Sequence, residues 1–271
     1  MADTAFQTQY RQETIKTFEQ RQSLVRSTVT TEAVIKGNEA VFNVVGSGNE
    51  TAVTRGNNGY IPYKSGSQDP KTATLKEWFA PFEKTGFNIF ASQGDQRKML
   101  IDNSIAVINR KIDEDIIATL ETGTQNTGAA ATASLAMVMD SLTELGNNEV
   151  EMDGNINALI TPKFHGYLMQ TKEFASVDYV NNKPFASSLT MYRWAGVNFI
   201  VHPRLTGRGT STEKCIMYHK SAIGHAMNSA GMTVATGYDE KQDLSWSLAK
   251  GYMGAALLQN TGVIIMNHNG S

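Results

Sequence analysis

Apolar side chains recur at helical spacing across the segment 95–122. The apolar positions are Ile101, Ile105, Ile108, Ile112, Ile116 and Leu120, which follow one another at steps of three or four residues. Polar and charged side chains occupy most positions between them, as in an amphipathic α-helix. Asp95 or Ser92 can cap the start of this helix, and Gly123 follows its last turn. The pattern predicts a helix roughly 40 Å long whose apolar side needs a sheet or another helix against it.

Two strand patterns come before the long helix, at 29–35 and 40–45, with the turn pair Gly37-Asn38 between them. The residues that follow are rich in glycine and asparagine, and a strand-like run then leads to the helix. We interpret 46–90 as a two-stranded excursion with a flexible tip. Because two strands alone are only marginally stable in water, this excursion needs a partner surface.

Both segments before the long helix carry more apolar surface than they can bury by themselves. Residues 1–27 show a partial helical period, and a terminal helix of this kind gains most of its stability from packing. Trp78, Phe79 and Phe82 stand close together in the strand-like run, which is a large apolar surface to leave in water. Each segment therefore either folds back on its own domain or lies on a neighbouring molecule.

The second half of the chain mixes helix and strand patterns. Residues 123–133 are small and polar, which is typical of a flexible connection. Leu244, Trp246 and Leu248 alternate with small residues, the pattern of a half-buried strand. The other predicted elements are helices at 134–145 and 162–170, strands at 158–160, 197–201, 215–218 and 232–236, a helical turn at 221–227, and a final hairpin of 252–258 with 263–266. The sequence therefore predicts an α+β fold.

The composition indicates a folded chain without a nucleic-acid footprint. Of the 271 residues, 41% are hydrophobic and 18% are charged, and the formal net charge is −2. A near-neutral chain lacks the basic patch of a tight nucleic-acid binder. A charged fraction below the ~25% of typical soluble domains suits packing against other protein. No apolar run approaches the ~18 residues that cross a bilayer, and the N-terminus lacks a signal-peptide core. We therefore expect a soluble protein that is cytoplasmic where it is made.

The candidate chemistry of the chain is sparse. Cys215 is the only cysteine, which excludes an internal disulfide, and its apolar neighbours favour a buried thiol over a nucleophile. None of the five histidines stands at metal-ligand spacing. No catalytic, cofactor-binding or metal-binding residues are therefore predicted.

The consecutive carboxylates Asp113, Glu114 and Asp115 project in three directions, because successive helical residues diverge by ~100°. They cannot form a paired acid–base site. We expect them to make salt bridges, on this helix or on a neighbouring molecule, with basic residues. The candidates are Arg97, Lys98, Arg110 and Lys111.

The order of these parts resembles one protein family. Four stretches carry the resemblance: Leu75-Lys76-Glu77-Trp78-Phe79, Leu159-Ile160-Thr161-Pro162, Tyr218-His219-Lys220-Ser221-Ala222-Ile223-Gly224, and Gly254-Ala255-Ala256 with Gly262-Val263-Ile264-Ile265. With the arm, the excursion and the long helix, they resemble the major capsid protein of tailed bacteriophages, which has the Hong Kong 97-type fold. The resemblance covers nearly the whole chain.

The resemblance implies a division into four parts. These are an N-terminal arm at 1–45, an extended loop at 46–90, a peripheral domain made of 91–132 and 244–271 with its spine helix at 95–122, and an axial domain at 133–243. It also implies a non-enzymatic subunit of pentamers and hexamers that close an icosahedral shell around double-stranded DNA. Such a protein resides in the virion, and in the host cytoplasm during assembly.

The family's arm and extended loop imply where the subunits touch. The expected inter-subunit residues are Phe6, Tyr10, Phe18, Arg55, Lys64, Lys71, Trp78, Phe79, Phe82, Arg97 and Arg110. Scaffolding, portal and decoration proteins are further implied partners, together with non-specific apposition to the packaged DNA. No membrane partner is expected.

Two alternatives stay open at this point. An encapsulin-like nanocompartment has the same type of fold and encloses protein cargo. A hydrolase whose site is assembled from distant residues comes from a different class. Electron microscopy of the purified chain separates these classes, because a shell protein forms closed particles or capsomers and an enzyme forms a well-behaved monomer.

Overall fold

The computed structural model describes residues 20–34, 37–47, 50–91, 95–175 and 191–270. Its strands are β1 (Thr30–Val34), β2 (Glu39–Gly46), β3 (Ser67–Thr74), β4 (Lys76–Thr85), β5 (Ile156–Ile160), β6 (Met191–Trp194), β7 (Val197–Val201), β8 (Glu213–His219), β9 (Ile223–Asn228), β10 (Thr233–Asp239), β11 (Leu244–Leu257) and β12 (Val263–His268). Its helices are α1 (Gly86–Ala91), α2 (Gln96–Leu120), α3 (Leu135–Asn147), α4 (Pro162–Leu168) and α5 (Lys172–Ala175).

The chain divides into two compact units. The first unit consists of Met1–Ser23, Glu77–Lys111 and Ala230–Tyr252. The second unit consists of Leu24–Lys76, Ile112–Ser229 and Met253–Ser271. The predicted boundary between 133–243 and 244–271 falls in the turn between β10 and β11, two strands that belong largely to the first unit.

Helix α2 confirms the strongest prediction from the sequence. Asp95 accepts a hydrogen bond from the backbone N–H of Lys98 at 3.1 Å and so caps the helix. The buried stripe differs from the predicted one in the first unit, where Leu100 and Ser104 are buried and Ile101 and Ile105 are only partly covered. In the second unit the stripe is as predicted, with its large side chains buried. They are Ile112, Ile116 and Leu120.

In the first unit, strand β11 pairs with both β10 and β4. Its predicted alternation is present, but the face that is buried is the opposite of the one expected. Ser245 and Ser247 are buried, whereas Trp246 is 38% exposed. The reason is the close approach of α2, because the hydroxyl of Ser104 donates to the hydroxyl of Ser247 at 3.2 Å. A small polar pair therefore occupies the place that the pattern assigned to large apolar side chains.

The main core of the second unit lies on a five-stranded sheet in the order β12-β8-β5-β7-β6. Strand β5 is at its centre, runs parallel to β7, and is buried along its whole length. The predicted strand-to-helix step follows, since Thr161 accepts from the N–H of Phe164 and Pro162 opens helix α4. Cys215 is buried in this core, and burial raises the pKa of its thiol to about 12.

Strand β9 organises the rest of the second unit. It pairs in parallel with β1 and antiparallel with residues 253–257 of β11. The predicted helical turn at 221–227 is therefore largely wrong, because only Lys220–Ala222 forms a 3-10 turn and the chain then extends into β9.

The predicted final hairpin is also wrong. Strand β11 pairs with β9, whereas β12 pairs with β8 in the other sheet. The chain passes from one sheet to the other just after β11. At this point the backbone N–H groups of Leu258 and Gln259 both donate to the carbonyl of Ala222.

The flexible connection predicted at 123–133 is held in place. Its backbone runs beside β12 and exchanges hydrogen bonds with it, including Ile265 N–H to Gln125 O at 2.9 Å and Thr127 N–H to Ile265 O at 3.0 Å. Small polar residues fit this irregular edge because they carry no bulk that would hold the two backbones apart. Among the described residues, no helix is both long enough and apolar enough to cross a membrane.

Candidate assembly surfaces

Strands β2 and β3 form a two-stranded ribbon in the second unit, with register from Glu39 opposite Thr74 to Gly46 opposite Ser67. The base of the ribbon is anchored by the side chain of Phe42, which is buried. A Cβ atom at Gly224 would lie 2.8 Å from the Phe42 ring, so only glycine leaves room for it.

A second close approach fixes the same base. A Cβ atom at Gly254 would lie 2.2 Å from the carbonyl oxygen of Thr74, the last residue of β3. Gly224 and Gly254 both belong to the stretches that carry the family resemblance. Their lack of a side chain allows β2 and β3, respectively, to pack closely against the rest of the second unit. The predicted turn pair at Gly37-Asn38 joins β1 to β2, but the two strands pair with different partners.

The outer part of the ribbon and its tip expose large apolar side chains. Val41 and Val45 lie on the open face of β2, and Tyr63 in the tip is 95% exposed. The tip makes a local turn, in which Gly56 N–H donates to Tyr60 O at 3.0 Å and Gly59 N–H donates to Gly56 O at 2.8 Å. The remaining large apolar residues exposed in the tip are Val53, Tyr60 and Ile61.

The three basic residues predicted for the extended loop all lie on this ribbon or its tip. Arg55 donates to the carbonyl of Gly59 within the turn. Lys64 pairs with Glu50 across the tip, and Lys71 lies 2.8 Å from Asp69 on β3. These pairs are solvent-exposed and contribute at most ~1 kcal/mol each to stability.

The predicted aromatic residues of β4 belong to the first unit and differ in how far their side chains are exposed to solvent. The ammonium of Lys111 lies 4.2 Å from the centre of the Trp78 ring, so Trp78 is sheltered by its own chain. Phe82 is also partly covered, whereas Phe79 is 49% exposed. Of these three, Phe79 presents the most open apolar surface.

The other predicted basic residues lie on α2 in the first unit. Arg97 lines a cavity of about 420 Å³ together with Leu100, Thr236 and Ser245. Arg110 is partly buried on the same helix. Phe6, Tyr10 and Phe18, the arm residues of the prediction, lie outside the described residues.

Sequence reasoning missed helix α1 as an exposed apolar element. Phe87 is 72% exposed and Phe90 is 88% exposed, and no residue of this helix is buried. The signal was present in the string Gly-Phe-Asn-Ile-Phe directly before the spine helix. The sequence pattern assigns these residues to the strand-like run, because a six-residue helix shows too little periodicity to be recognised.

The root of the arm, defined here as residues 20–29, is seated on its own chain. Val25 and Val29 are buried within a single chain, so their side chains do not need a neighbouring subunit to cover them. In the second unit, the carboxylate of Asp113 accepts from the backbone N–H of Leu24 at 3.0 Å and from that of Val25 at 3.3 Å. Of the two options that the sequence leaves open for the arm, the arm root therefore follows the first, in which the segment folds back on its own chain.

The salt-bridge prediction for the helix carboxylates missed their long-range partners. Asp113 is buried and its carboxylate lies 3.2 Å from Nε2 of His202. Glu114 pairs with Arg204 at 2.8 Å on the surface. Both partners follow strand β7, and nothing in the local sequence connects them to α2.

A second buried polar group supports the arm root. The hydroxyl of Thr28 donates to the carbonyl of Val25 at 2.6 Å, and the hydroxyl of Tyr218 donates to Thr28. His225 lies nearby on β9, fully buried, and neither of its ring nitrogens has a hydrogen-bond partner in the described structure. Burial and the positive charge of Arg26 lower the pKa of His225 to about 4, against a small opposing effect of Asp113.

His225 should make the fold sensitive to mild acid. The unfolded chain binds a proton at His225 below pH 6.5, whereas the folded chain resists it until about pH 4. Stability should therefore fall between these pH values by up to ~3 kcal/mol and be unaffected above them. Denaturant unfolding at pH 7 and pH 4.5 would measure the loss, with His225→Leu as the variant that should lose less.

The comparison with the variant is necessary because burial also lowers the pKa of His165, with the same sign. An equal pH dependence in the wild type and in H225L would contradict the assignment to His225.

Glu213 is a buried carboxylate of the second unit. Its carboxylate accepts from the hydroxyl of Thr161 at 2.8 Å, from Nδ1 of His268 at 2.9 Å and from the backbone N–H of Gly209 at 2.6 Å. Burial alone would raise the pKa of Glu213, but these hydrogen bonds outweigh it and lower the pKa. The group ties together β12, β8, the start of α4 and the loop before β8.

His219, Asp153 and Ser221 are the nearest approach to a catalytic set in the described chain. Nε2 of His219 lies 3.1 Å from Asp153, and Nδ1 lies 2.7 Å from the hydroxyl of Ser221. The backbone N–H of Ser221 donates to the same Nδ1, which makes the ring a cap of the turn 220–222. Hydrogen bonds, first from Asn155 and then from His219, lower the pKa of Asp153 to about 2. These hydrogen bonds stabilise the turn 220–222, so the arrangement has a structural role. The described residues contain no His, Cys, Asp or Glu group that could hold a metal ion.

Solved capsid structures resemble this fold at low sequence identity. The capsid protein of cyanophage P-SCSP1u matches with a TM-score of 0.74 and 11% identity, over 98% of this chain and 94% of the other. The protein of Mycobacterium phage Che8 matches with a TM-score of 0.75 and 15% identity, over 98% of both chains. The capsid of the native GTA particle matches with a TM-score of 0.70 and 14% identity, over 98% of this chain and 96% of the other. The predicted Hong Kong 97-type fold is confirmed.

The sequence itself carries the family signal. A comparison with curated proteins finds no match. A family model described as phage capsid protein matches residues 2–269, which is nearly the whole chain. That match confirms the prediction of a structural shell protein rather than an enzyme. The chain belongs to the phage capsid protein family.

Proposed function

We propose that this chain is the major capsid protein of a tailed double-stranded DNA bacteriophage, and that its copies form the pentamers and hexamers of an icosahedral shell. The observation that carries the proposal is the match of the phage capsid model across residues 2–269. The similar solved structures include capsids, among them that of the native GTA particle, which supports assembly of this chain into a shell.

The ribbon supplies the physical means of association. Strands β2 and β3 pair only with each other among the described strands, so both outer edges are open to another chain. Pro70 lies in β3 opposite Asn43, and a proline in an edge strand limits continuous pairing along that edge. The apolar tip would then provide the main contact surface, since Tyr60 and Tyr63 are almost fully exposed on their own subunit.

The first unit supplies a second apolar surface. Phe79 on β4 and Phe90 on α1 are both strongly exposed in that unit. A contact between the ribbon tip of one subunit and these aromatic residues of the next would bury apolar surface on both. Many such weak contacts become strong when a closed symmetric shell repeats them.

The finer assignments belong to the same proposal. The arm at 1–45 and the extended loop at 46–90 would lie over neighbouring subunits, with the peripheral and axial domains forming the tile between them. Contacts with the packaged DNA would be non-specific, in keeping with a net charge of −2. Scaffolding, portal and decoration proteins would join the shell during its assembly in the host cytoplasm.

Electron microscopy of the purified recombinant chain tests the proposal. Closed particles, or pentamers and hexamers that close when mixed, are the expected result. A monomer that stays monomeric at high concentration, with or without a co-expressed scaffolding protein, would contradict it. Shells that fill with host protein instead of DNA would point to an encapsulin-like nanocompartment.

A further inference from the structure

Helix α2 binds the arm root through main-chain atoms. In the first unit, the side-chain amide of Asn109 donates to the carbonyl of Arg21 at 2.9 Å. In the second unit, Asp113 accepts from the N–H groups of Leu24 and Val25. Asn109 and Asp113 are four residues apart on α2, so both project from the same side of the helix. The helix thus contacts the backbone of the arm root at two successive turns.

The carboxylate of Asp113 is itself held in a fixed orientation. The backbone N–H of Arg204 donates to Nδ1 of His202 at 3.2 Å. Nδ1 is therefore the acceptor nitrogen, and the proton of the neutral ring lies on Nε2 and points at Asp113. The backbone of His202 is anchored in turn, because its N–H donates to the carbonyl of Ile160 at 3.0 Å.

These contacts make one path of the arm root far more favourable than others. Asp113 and His202 are both fully buried. A buried carboxylate is costly unless several donors satisfy it, and two of the donors here are backbone groups of the arm root. An arm root that left the body in another direction would remove both donors at once.

We propose that Asp113, oriented by His202, is the positioning residue that sets the direction in which the N-terminal arm leaves the subunit. This rests on the proposed function, because the direction of the arm matters only if the arm reaches a neighbouring subunit. The prediction is that Asp113 contributes to the geometry of the shell and not only to the stability of the fold.

Limited trypsin digestion of the unassembled chain tests the positioning directly. Trypsin cleaves after Arg21 and Arg26, which flank the two bonded amides. In Asp113→Asn only one acceptor oxygen remains, so the new NH2 group faces a donor in either orientation of the amide: the N–H of Val25 at one position, or the N–H of Leu24 and the Nε2–H of His202 at the other. Cleavage after Arg26 should be at least roughly tenfold faster than in the wild type, since it reports local opening of this segment. Cleavage after Arg55 in the exposed tip should not change and serves as the internal reference.

Two further variants complete the design. Glu114→Gln changes the next residue on the same helix, at a surface pair with Arg204, and should leave both cleavage rates unchanged. Asn109→Ala removes only the bond to Arg21, so it should accelerate cleavage after Arg21 more than after Arg26. This milder variant decides the question if D113N fails to fold, which circular dichroism would report.

Microscopy of the same variants completes the test. Open, irregular or missing shells from a folded D113N chain are expected. Unchanged cleavage in D113N and N109A would overturn the positioning role, and so would normal shells from a D113N chain whose arm root is digested rapidly. Failure of the wild type to form shells would count against the proposed function instead, while the digestion rates would still decide whether α2 holds the arm root.

Discussion

Replacing Glu213 with alanine is expected to lower the free energy of unfolding by ~3–5 kcal/mol. The change leaves two donors inside the core without their acceptor, the hydroxyl of Thr161 and Nδ1 of His268, and it also removes the acceptor of the backbone N–H of Gly209 in the exposed loop before β8. It also leaves a void between strands that are otherwise close-packed. Since domains are typically stable by only ~5–15 kcal/mol, the variant should be largely unfolded at moderate denaturant concentrations.

Urea unfolding of the unassembled chain measures this effect, and the helix offers a matched control. Glu114→Ala removes the same side chain from an exposed pair with Arg204 and should cost at most ~1 kcal/mol. If both variants lost the same small amount of stability, the buried group around Glu213 would not hold the four elements together as described.

Excising the tip of the ribbon should abolish closed shells while leaving the fold intact. The variant replaces residues 47–66 with Asn-Gly, which joins Gly46 to Ser67 by a two-residue hairpin turn. The eight backbone pairs of the ribbon and the anchor at Phe42 remain, because the register ends at Gly46 and Ser67. The loss is confined to the exposed apolar tip, so the free energy of unfolding should change by no more than ~1 kcal/mol.

Microscopy and size-exclusion chromatography would show the outcome as unassembled subunits or isolated capsomers. The polar double variant N57S/N58S, in the same tip, is the control and should assemble like the wild type. Normal shells from the excised chain would show that the tip is not an adhesive surface and that association depends on other parts of the subunit.

The elements that the sequence predicts well are those with local causes. Helix α2 was predicted nearly to its bounds because Asp95 caps it and its apolar period continues for several turns. The step from β5 to α4 was equally clear, since Thr161 and Pro162 form a local start signal. In each case the information lies within a few residues of the element itself.

The features that could not be predicted depend on which distant segment covers a residue. The alternation in β11 revealed a strand but not that Ser247 would face Ser104 across the first unit. Asp113 gave no sign of its role, because its donors on Leu24 and His202 stand almost ninety positions away. The segment 123–133 looked unstructured because its order comes from the edge of β12.

The seating of Phe42 against Gly224 joins two positions that are distant in the chain into one steric unit. A ring at the first site leaves no room for a methyl group at the second, and a smaller residue at the first would open a void that the second could then fill. A substitution at only one of the two sites would weaken the packing at the base of the ribbon. Related chains should therefore exchange volume between these two positions rather than vary them independently.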